Sequence, residues 1–242
     1  MPKDPRMLTH QQATSFYNRM GAKQDWQAFY ERAATRDLIA HAAFETAQSV
    51  FEFGCGTGAF AEQILIHQLP PQATYLAVDS SATMVRLARS RLARFGGRVT
   101  VRQTDGSLRF TAVSGSCDRF VSTYVLDLLA APDIARVLSE AHRLLVDDGH
   151  LCLVSLTHGS TPLVRLVTWS WTRLHGLDPR LVGGCRPLEL CDCLPGAAFH
   201  PDYVHVVTPF GVPSEVVVAS KQSDGDDDLL RGEEEKNRSC AS

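Results

Sequence analysis

From Ser49 onward, short apolar runs alternate with stretches in which apolar residues recur every three or four positions. The runs Ser49–Phe53, Thr74–Val78, Val99–Gln103, Asp118–Thr123 and His150–Ser155 read as strands. Between them, Gly58–His67 places Phe60, Ala61, Ile64 and Leu65 on one helical stripe that Pro70 and Pro71 stop. After Ser80 a second stripe carries Met84, Val85, Ala88 and Leu92. A third, opened by Pro132, carries Ile134, Val137, Leu138, Ala141, Leu144 and Leu145 before Asp147-Asp148-Gly149 turns the chain. Strands alternating with amphipathic helices predict a parallel sheet joined by crossover helices. The near-continuous apolar character of His150–Ser155 predicts a strand buried on both faces. The final runs, Tyr203–Phe210 and Ser214–Ser220, are joined by Gly211-Val212-Pro213, a hairpin-length connection. The expected fold class is therefore α/β: a doubly wound, Rossmann-like sheet, mostly parallel, with an antiparallel C-terminal hairpin strand.

Around this unit lie two attachments. Asp25–Ala47 has helical character, with Trp26, Phe29, Tyr30, Ala33, Leu38 and Phe44, so residues 1–47 are expected to form an N-terminal helical cover and 48–221 the main domain. Residues 222–242 hold seven acidic side chains, Asp224, Asp226–Asp228 and Glu233–Glu235, against three basic ones, with Leu229 and Leu230 as the large apolar residues. So little burial cannot offset the entropy of ordering the segment, and an acidic disordered tail is expected.

Composition narrows the function classes. Of 242 residues, 44% are hydrophobic and 21% charged, which excludes fibrous and wholly disordered chains. A net charge of −3 provides no global basic field for a nucleic-acid backbone, so no nucleic-acid partner is expected, and the arginine row Arg86, Arg89, Arg91 and Arg94 reads as a solvated helix face. Met1–His10 lacks the apolar core of a secretory signal, and no uncharged apolar run reaches the ~18 residues of a membrane span. Seven cysteines, an odd number, fit reduced thiols of a cytoplasmic protein better than a disulfide framework. Cys191-x-Cys193 lacks a second ligand pair, so no metal site is expected.

The strongest chemical signal is Glu52-Phe53-Gly54-Cys55-Gly56-Thr57-Gly58, where the first strand passes into a helix. Glycines allow a tight turn and close backbone approach, and the helix N-terminus offers unpaired N–H groups. Gly54, Gly56 and Ala59 can also be read as a dinucleotide-binding turn. Glu52 argues against that reading, because a carboxylate two residues before the first glycine repels a pyrophosphate and suits a ligand bearing a cation. Asp79, with Ser80 beside it, ends the second strand where a carboxylate can take hydrogen bonds from a ribose diol, and Asp105-Gly106 follows the third strand where an acceptor can meet an adenine edge.

Taken together, these residues resemble the class I S-adenosylmethionine-dependent methyltransferases, over about Phe16 to Lys221. Glu52–Gly58 matches the family's glycine motif, Asp79 its ribose acid, Asp105 its adenine-edge acid and Ser122–Leu129 its strand-four segment. The resemblance implies a seven-stranded sheet with a reversed last strand, S-adenosyl-L-methionine as cofactor, and its methionine moiety near Gly54, Gly56 and Thr123. In the small-molecule branch of quinone- and lipid-biosynthesis-like enzymes, an aromatic pair ahead of strand one closes over the cofactor; Phe16-Tyr17 resembles it.

Ser122-Thr123-Tyr124-Val125 lacks the Pro-Pro of the family's exocyclic-amine and glutamine enzymes, and no cysteine follows a proline as in the C5-cytosine type. A small-molecule or lipid-like acceptor is therefore expected, with the apolar segment Leu163–Leu174, bearing Trp169 and Trp171, beside it. His158, just past the fifth strand, is the leading candidate general base because its ordinary pKa lies near neutrality; Tyr124 and Asp127 are weaker candidates. Two rival classes stand beside this reading: an NAD-dependent oxidoreductase and a non-catalytic methyltransferase-like adaptor.

Overall fold

The computed structural model describes residues 28–158, 186–194 and 198–222. Tyr17, the Leu163–Leu174 segment and the acidic tail lie outside them.

Five strands run parallel: β1 (Ser49–Phe53), β2 (Thr74–Asp79), β3 (Val99–Gln103), β4 (Cys117–Thr123) and β5 (Leu145–Leu156). β6 (Phe199–Val207) and β7 (Ser214–Lys221) close the sheet, and β7 runs antiparallel to both β5 and β6. The order is β3-β2-β1-β4-β5-β7-β6, seven strands as expected, with the topology reversing between β1 and β4. In open α/β sheets that switch point, at the strands' carboxyl ends, is where ligands bind.

Among the described residues four helices flank the sheet: α1 (Ala28–His41), α2 (Ala59–His67), α3 (Ala82–Leu92) and α4 (Ala131–Leu144). Their ends follow local chemistry. The Oγ of Ser81 accepts from the Met84 amide at 3.2 Å and caps α3. Pro132 sits in the first turn of α4, where its missing N–H costs nothing. Strand alternation divides the core in two. Val50, Ala77, Val121, Val154 and Val216 face the layer under α1, α2 and α3, with Leu38, Phe44 and Ile64. Phe51, Phe120, Leu151, Leu153 and Val217 face α4 through Ile134, Val137, Leu138 and Ala141. Fully burying such side chains contributes about 1.5–3 kcal/mol each.

α1 is the described part of the N-terminal cover, and it is anchored by polar contacts as well. The buried Arg119 guanidinium donates to the carbonyls of Ala42 (2.7 Å) and Ala43 (2.9 Å), while the Tyr203 hydroxyl donates to Asp37 at 3.1 Å.

Two sequence expectations shift. Asp147-Asp148-Gly149 does not separate α4 from β5; β5 already begins at Leu145, paired with Cys117, and the three residues form an irregularity before pairing resumes at Arg119 with His150. Asp148, at φ 60°, absorbs the bend. β6 runs Phe199–Val207 rather than Tyr203–Phe210: Phe199, His200 and Pro201 already pair with Lys221, Ser220 and Ala219 of β7, and the strand stops early because Pro209 has no N–H for the ladder and opens a 3-10 turn, Pro209–Gly211. Among the described residues no helix is long and apolar enough to cross a membrane.

Candidate functional site

The turn after β1 is held by backbone chemistry. The amides of Gly54 and Cys55 both donate to the Val78 carbonyl of β2, at 2.8 and 3.1 Å. Gly54, Gly56 and Gly58 all have positive φ, at 77°, 51° and 77°. A side chain is excluded at Gly54 on two counts: backbone strain, and a Cβ there would lie 2.3 Å from Val125 Cγ2. Gly58 caps α2 in the left-handed conformation and packs against Ala88 of α3, which brings the two helices together.

Asp79 links this turn to the next. Its Oδ2 accepts from the Gly56 amide at 2.9 Å and its Oδ1 from the Ser81 amide at 2.8 Å. Each oxygen keeps a further lone pair, so a ribose diol would share the carboxylate with the backbone rather than hold it alone. Burial raises the Asp79 pKa, opposed by the amides of Ser81, Gly56 and Ser80. Replacing Asp79 with Ala is expected to lower stability by about 1–3 kcal/mol, measured by denaturant unfolding, because two amides lose their acceptor.

Glu52 lies beneath the turn, 1% exposed. Its Oε2 accepts from the Tyr75 hydroxyl of β2 at 2.9 Å. No cationic side chain among the described residues pairs with it. Burial pushes its pKa up to about 7, the Tyr75 hydrogen bond opposes that rise, and the nearby charge of Asp79 adds to it. The neighbouring Cys55 thiol is pushed well up by burial and by Glu52 and Asp79, so it is an inert packing group rather than a nucleophile.

At the end of β3, Asp105 is exposed and its Oδ1 accepts from the Ser107 amide at 2.8 Å. The two hydrogen bonds from Ser107 lower its pKa. It closes an Asx turn, with Gly106 at φ 86° and open space where a Cβ would stand. Asp105→Ala is accordingly expected to leave stability nearly unchanged.

Thr123 ends β4 half-buried, opposite Val154. Tyr124, a weaker catalytic candidate by sequence, takes the left-handed φ of 56°, and its hydroxyl donates to Ser214 Oγ of β7 at 2.9 Å. That bond ties the β4 turn to the last strand, a structural use for the hydroxyl. Asp127 is fully buried. His158 is exposed one residue past the buried Thr157, and its amide meets Glu189 Oε1 at 3.3 Å.

One component escaped the sequence reading. Residues 186–194 cross the carboxyl edge: the Arg186 amide donates to the Asp127 carbonyl, Arg186 Nη2 to that of Leu129, and the Leu188 amide to that of Leu156. The Leu190 amide donates to the buried Glu215 carboxylate of β7 at 2.5 Å. Contacts this distant in sequence leave no periodic signal. Val125, the side chain that fills the space at Gly54, is equally silent.

Comparison with known proteins agrees with this geometry. Residues 50–149 match the model of a methyltransferase domain. A trans-aconitate 2-methyltransferase of Azoarcus sp. (strain BH72) is 33% identical over 134 residues, covering 55% of this chain and 49% of that protein. The tRNA N(3)-methylcytidine methyltransferase Mettl2 of Drosophila melanogaster is 30% identical over 144 residues, covering 57% and 44%. The chain thus spans about half the length of the curated relatives it matches. Among solved structures, the [4+2]-cyclase SpnF superposes with a TM-score of 0.69 at 14% identity, covering 89% of this chain and 98% of its own. A SAM-dependent methyltransferase of Methanosarcina mazei gives 0.59 at 17%, covering 77% and 98%. Residues 50–149 thus match a methyltransferase domain, and the fold built around them is the one seen in solved S-adenosylmethionine-dependent methyltransferases.

Proposed function

We propose that this chain transfers a methyl group from S-adenosyl-L-methionine to a small, partly apolar acceptor. The observation that carries the reading is Glu52, a buried carboxylate under the glycine turn with no cationic side chain of the described residues against it. A cationic cofactor suits that environment, whereas a dinucleotide pyrophosphate would add a second negative charge. When bound, the sulfonium supplies an activated methyl group, so the chain has only to align the acceptor and exclude water. Gly54, Gly56, Gly58 and Thr123 would line the methionine end, Asp79 and Ser80 the ribose, and Asp105 and Gly106 the adenine edge; Tyr17 completes the set proposed from sequence.

The trans-aconitate relative, by its name, acts on a small molecule, which supports the acceptor class. The unpaired thiols of Cys55, Cys117, Cys152, Cys191 and Cys193 support a cytoplasmic setting. Fold alone does not fix chemistry, as the cyclase with the same fold shows. The deciding experiment is a thermal melt followed by a labelled-methyl transfer screen. At one hundred times its dissociation constant S-adenosylmethionine is expected to add about 2.7 kcal/mol of stability; a melt raised by NAD and untouched by S-adenosylmethionine would overturn the cofactor assignment. In the screen, label is expected on quinone, phenol, phospholipid or carboxylate acceptors. Label on tRNA alone would overturn the acceptor class.

His158 is the proposed general base for a hydroxyl acceptor. Its exposed position on the carboxyl edge leaves the ring free to meet a ligand. His158→Gln is expected to cut turnover ~10²-fold with cofactor affinity unchanged, read from steady-state rates beside a binding titration.

A further inference from the structure

Phe210 combines two features that do not serve the fold. It takes φ 53° and ψ 25°, a left-handed conformation costly for a bulky L-residue. Its side chain is also 80% exposed, the most exposed of the large apolar side chains among the described residues. Burial therefore repays little of that cost, and backbone strain of this kind collects where a site meets its ligand. Phe210 lies in the connection between β6 and β7. Because β7 starts with Ser214 opposite Leu156, the last residue of β5, that connection stands at the carboxyl edge of the sheet, the same edge as the glycine turn.

An apolar ledge runs between the two. Leu156 is buried against half-buried Tyr124, Leu128 and Val212, a cluster that Tyr124 joins to the layer under α1, α2 and α3. None of the four carries a charge, and the Tyr124 hydroxyl is already engaged with Ser214 Oγ at 2.9 Å. At the near end Tyr124 adjoins Val125, whose Cγ2 stands 2.3 Å from where a Gly54 Cβ would lie. At the far end Val212 is two residues from Phe210, and its amide donates to the Pro209 carbonyl at 3.0 Å. From β1 through β4 and β5 to β7 the ledge crosses three strand spacings, about 14 Å.

We propose that this ledge takes the apolar body of the methyl acceptor, and that Phe210 is a specificity-determining residue at its far end. The acceptor is then an elongated molecule: a hydroxyl-bearing head beside Gly54 and Thr123, and an apolar chain that runs over Tyr124, Leu156 and Val212 toward the Phe210 ring. The inference rests on the methyl-transfer reading above and deepens it, since it assigns the acceptor a shape and a direction. Its energy comes from removing apolar surface from water on both partners, so affinity grows with chain length until the chain passes Phe210.

The test is calorimetric titration of the full chain, saturated with S-adenosylhomocysteine, against 4-ethylphenol, 4-butylphenol, 4-hexylphenol and 4-octylphenol. Wild type is expected to gain about fourfold in affinity for each methylene that the ledge covers. Phe210→Ala should leave 4-ethylphenol within about twofold of wild type and weaken the two longest phenols about tenfold. Phe210→Asn is the second variant: asparagine tolerates the left-handed conformation, so the turn is kept and only the ring is lost. The two variants should therefore agree, with thermal melts at or above that of wild type. A series with no dependence on chain length would show that the ledge is not open to a ligand, and would overturn the inference. So would a slope that both Phe210 variants leave unchanged, because the chain would then lie elsewhere. Failure of wild type to bind S-adenosylhomocysteine at all would instead overturn the cofactor assignment beneath it.

Discussion

Gly54→Ala is expected to cost about 2–5 kcal/mol of folding stability and to abolish cofactor binding. Two effects add. At φ 77° an L-residue pays about 1–2 kcal/mol for the left-handed conformation. The new methyl would then stand 2.3 Å from Val125 Cγ2 and 3.0 Å from Cγ1, so Val125 must move, and overpacking of this kind costs about 1–3 kcal/mol. Val125 is held in turn by the Leu128 amide on its carbonyl at 3.0 Å, which opposes the shift. Gly106→Ala is the control: φ is 86°, yet nothing lies within 4 Å of the added carbon, so only the conformational cost remains. Urea unfolding of both variants beside wild type separates the two contributions. Equal losses would mean that Val125 yields freely and that the close approach at Gly54 has no energetic consequence.

How far the sequence reaches can be seen at Gly54 itself. Its need for a positive φ was legible from the strand-glycine-helix pattern; the second reason, Val125, comes from a turn after β4 that no local pattern connects to it. The same division holds across the fold. β1 and β3 match their expected limits because alternation and turn residues are local signals, and the helices follow their apolar stripes. β6 and the start of β5 were misjudged where a tertiary ladder overrode or cut short the local reading: Leu145, on the helix stripe by periodicity, is taken up by Cys117. Arg119, within β4, carries no local signal of its role in anchoring the N-terminal cover. Only the fold brings the carbonyls of Ala42 and Ala43, some seventy-five residues away, to its guanidinium.

Within the site, the acids at successive strand ends were legible as a set but not in their individual roles. Asp79 is as much an organiser of the backbone as a ligand candidate, since both oxygens already accept amides. Asp105 makes the Asx turn that its Gly-following sequence also allows. Glu215 shows the opposite failure. An acid within a strand reads as a solvent-facing position, yet it is buried because residues 186–194 fold over it and supply amide donors.

The apo protein is expected to lose stability as pH rises between about 4.5 and 7, and Glu52→Gln to remove most of that loss. Glu52 moves from an ordinary value of 4.5 to about 7 on folding, driven first by burial. Its native state therefore holds a proton that the unfolded chain gives up across that interval, so ionisation favours unfolding: the contribution is fully present below 4.5 and gone above 7. A difference of about 2.5 pH units corresponds to about 3 kcal/mol. Glutamine has nearly the same shape and its amide oxygen can still accept from Tyr75, so the variant keeps the packing and has no proton to lose. Asp79, also raised by burial, leaves a residual slope of the same sign. Chemical unfolding at pH 5 and pH 8 on wild type and Glu52→Gln measures this directly, and the variant should be the more stable at pH 8. A variant less stable than wild type at both pH values would show that Glu52 is ionised and internally compensated in the apo fold. If the variant instead gains stability while losing affinity for S-adenosylmethionine, the wild-type residue costs stability for the sake of binding, as functional sites commonly do.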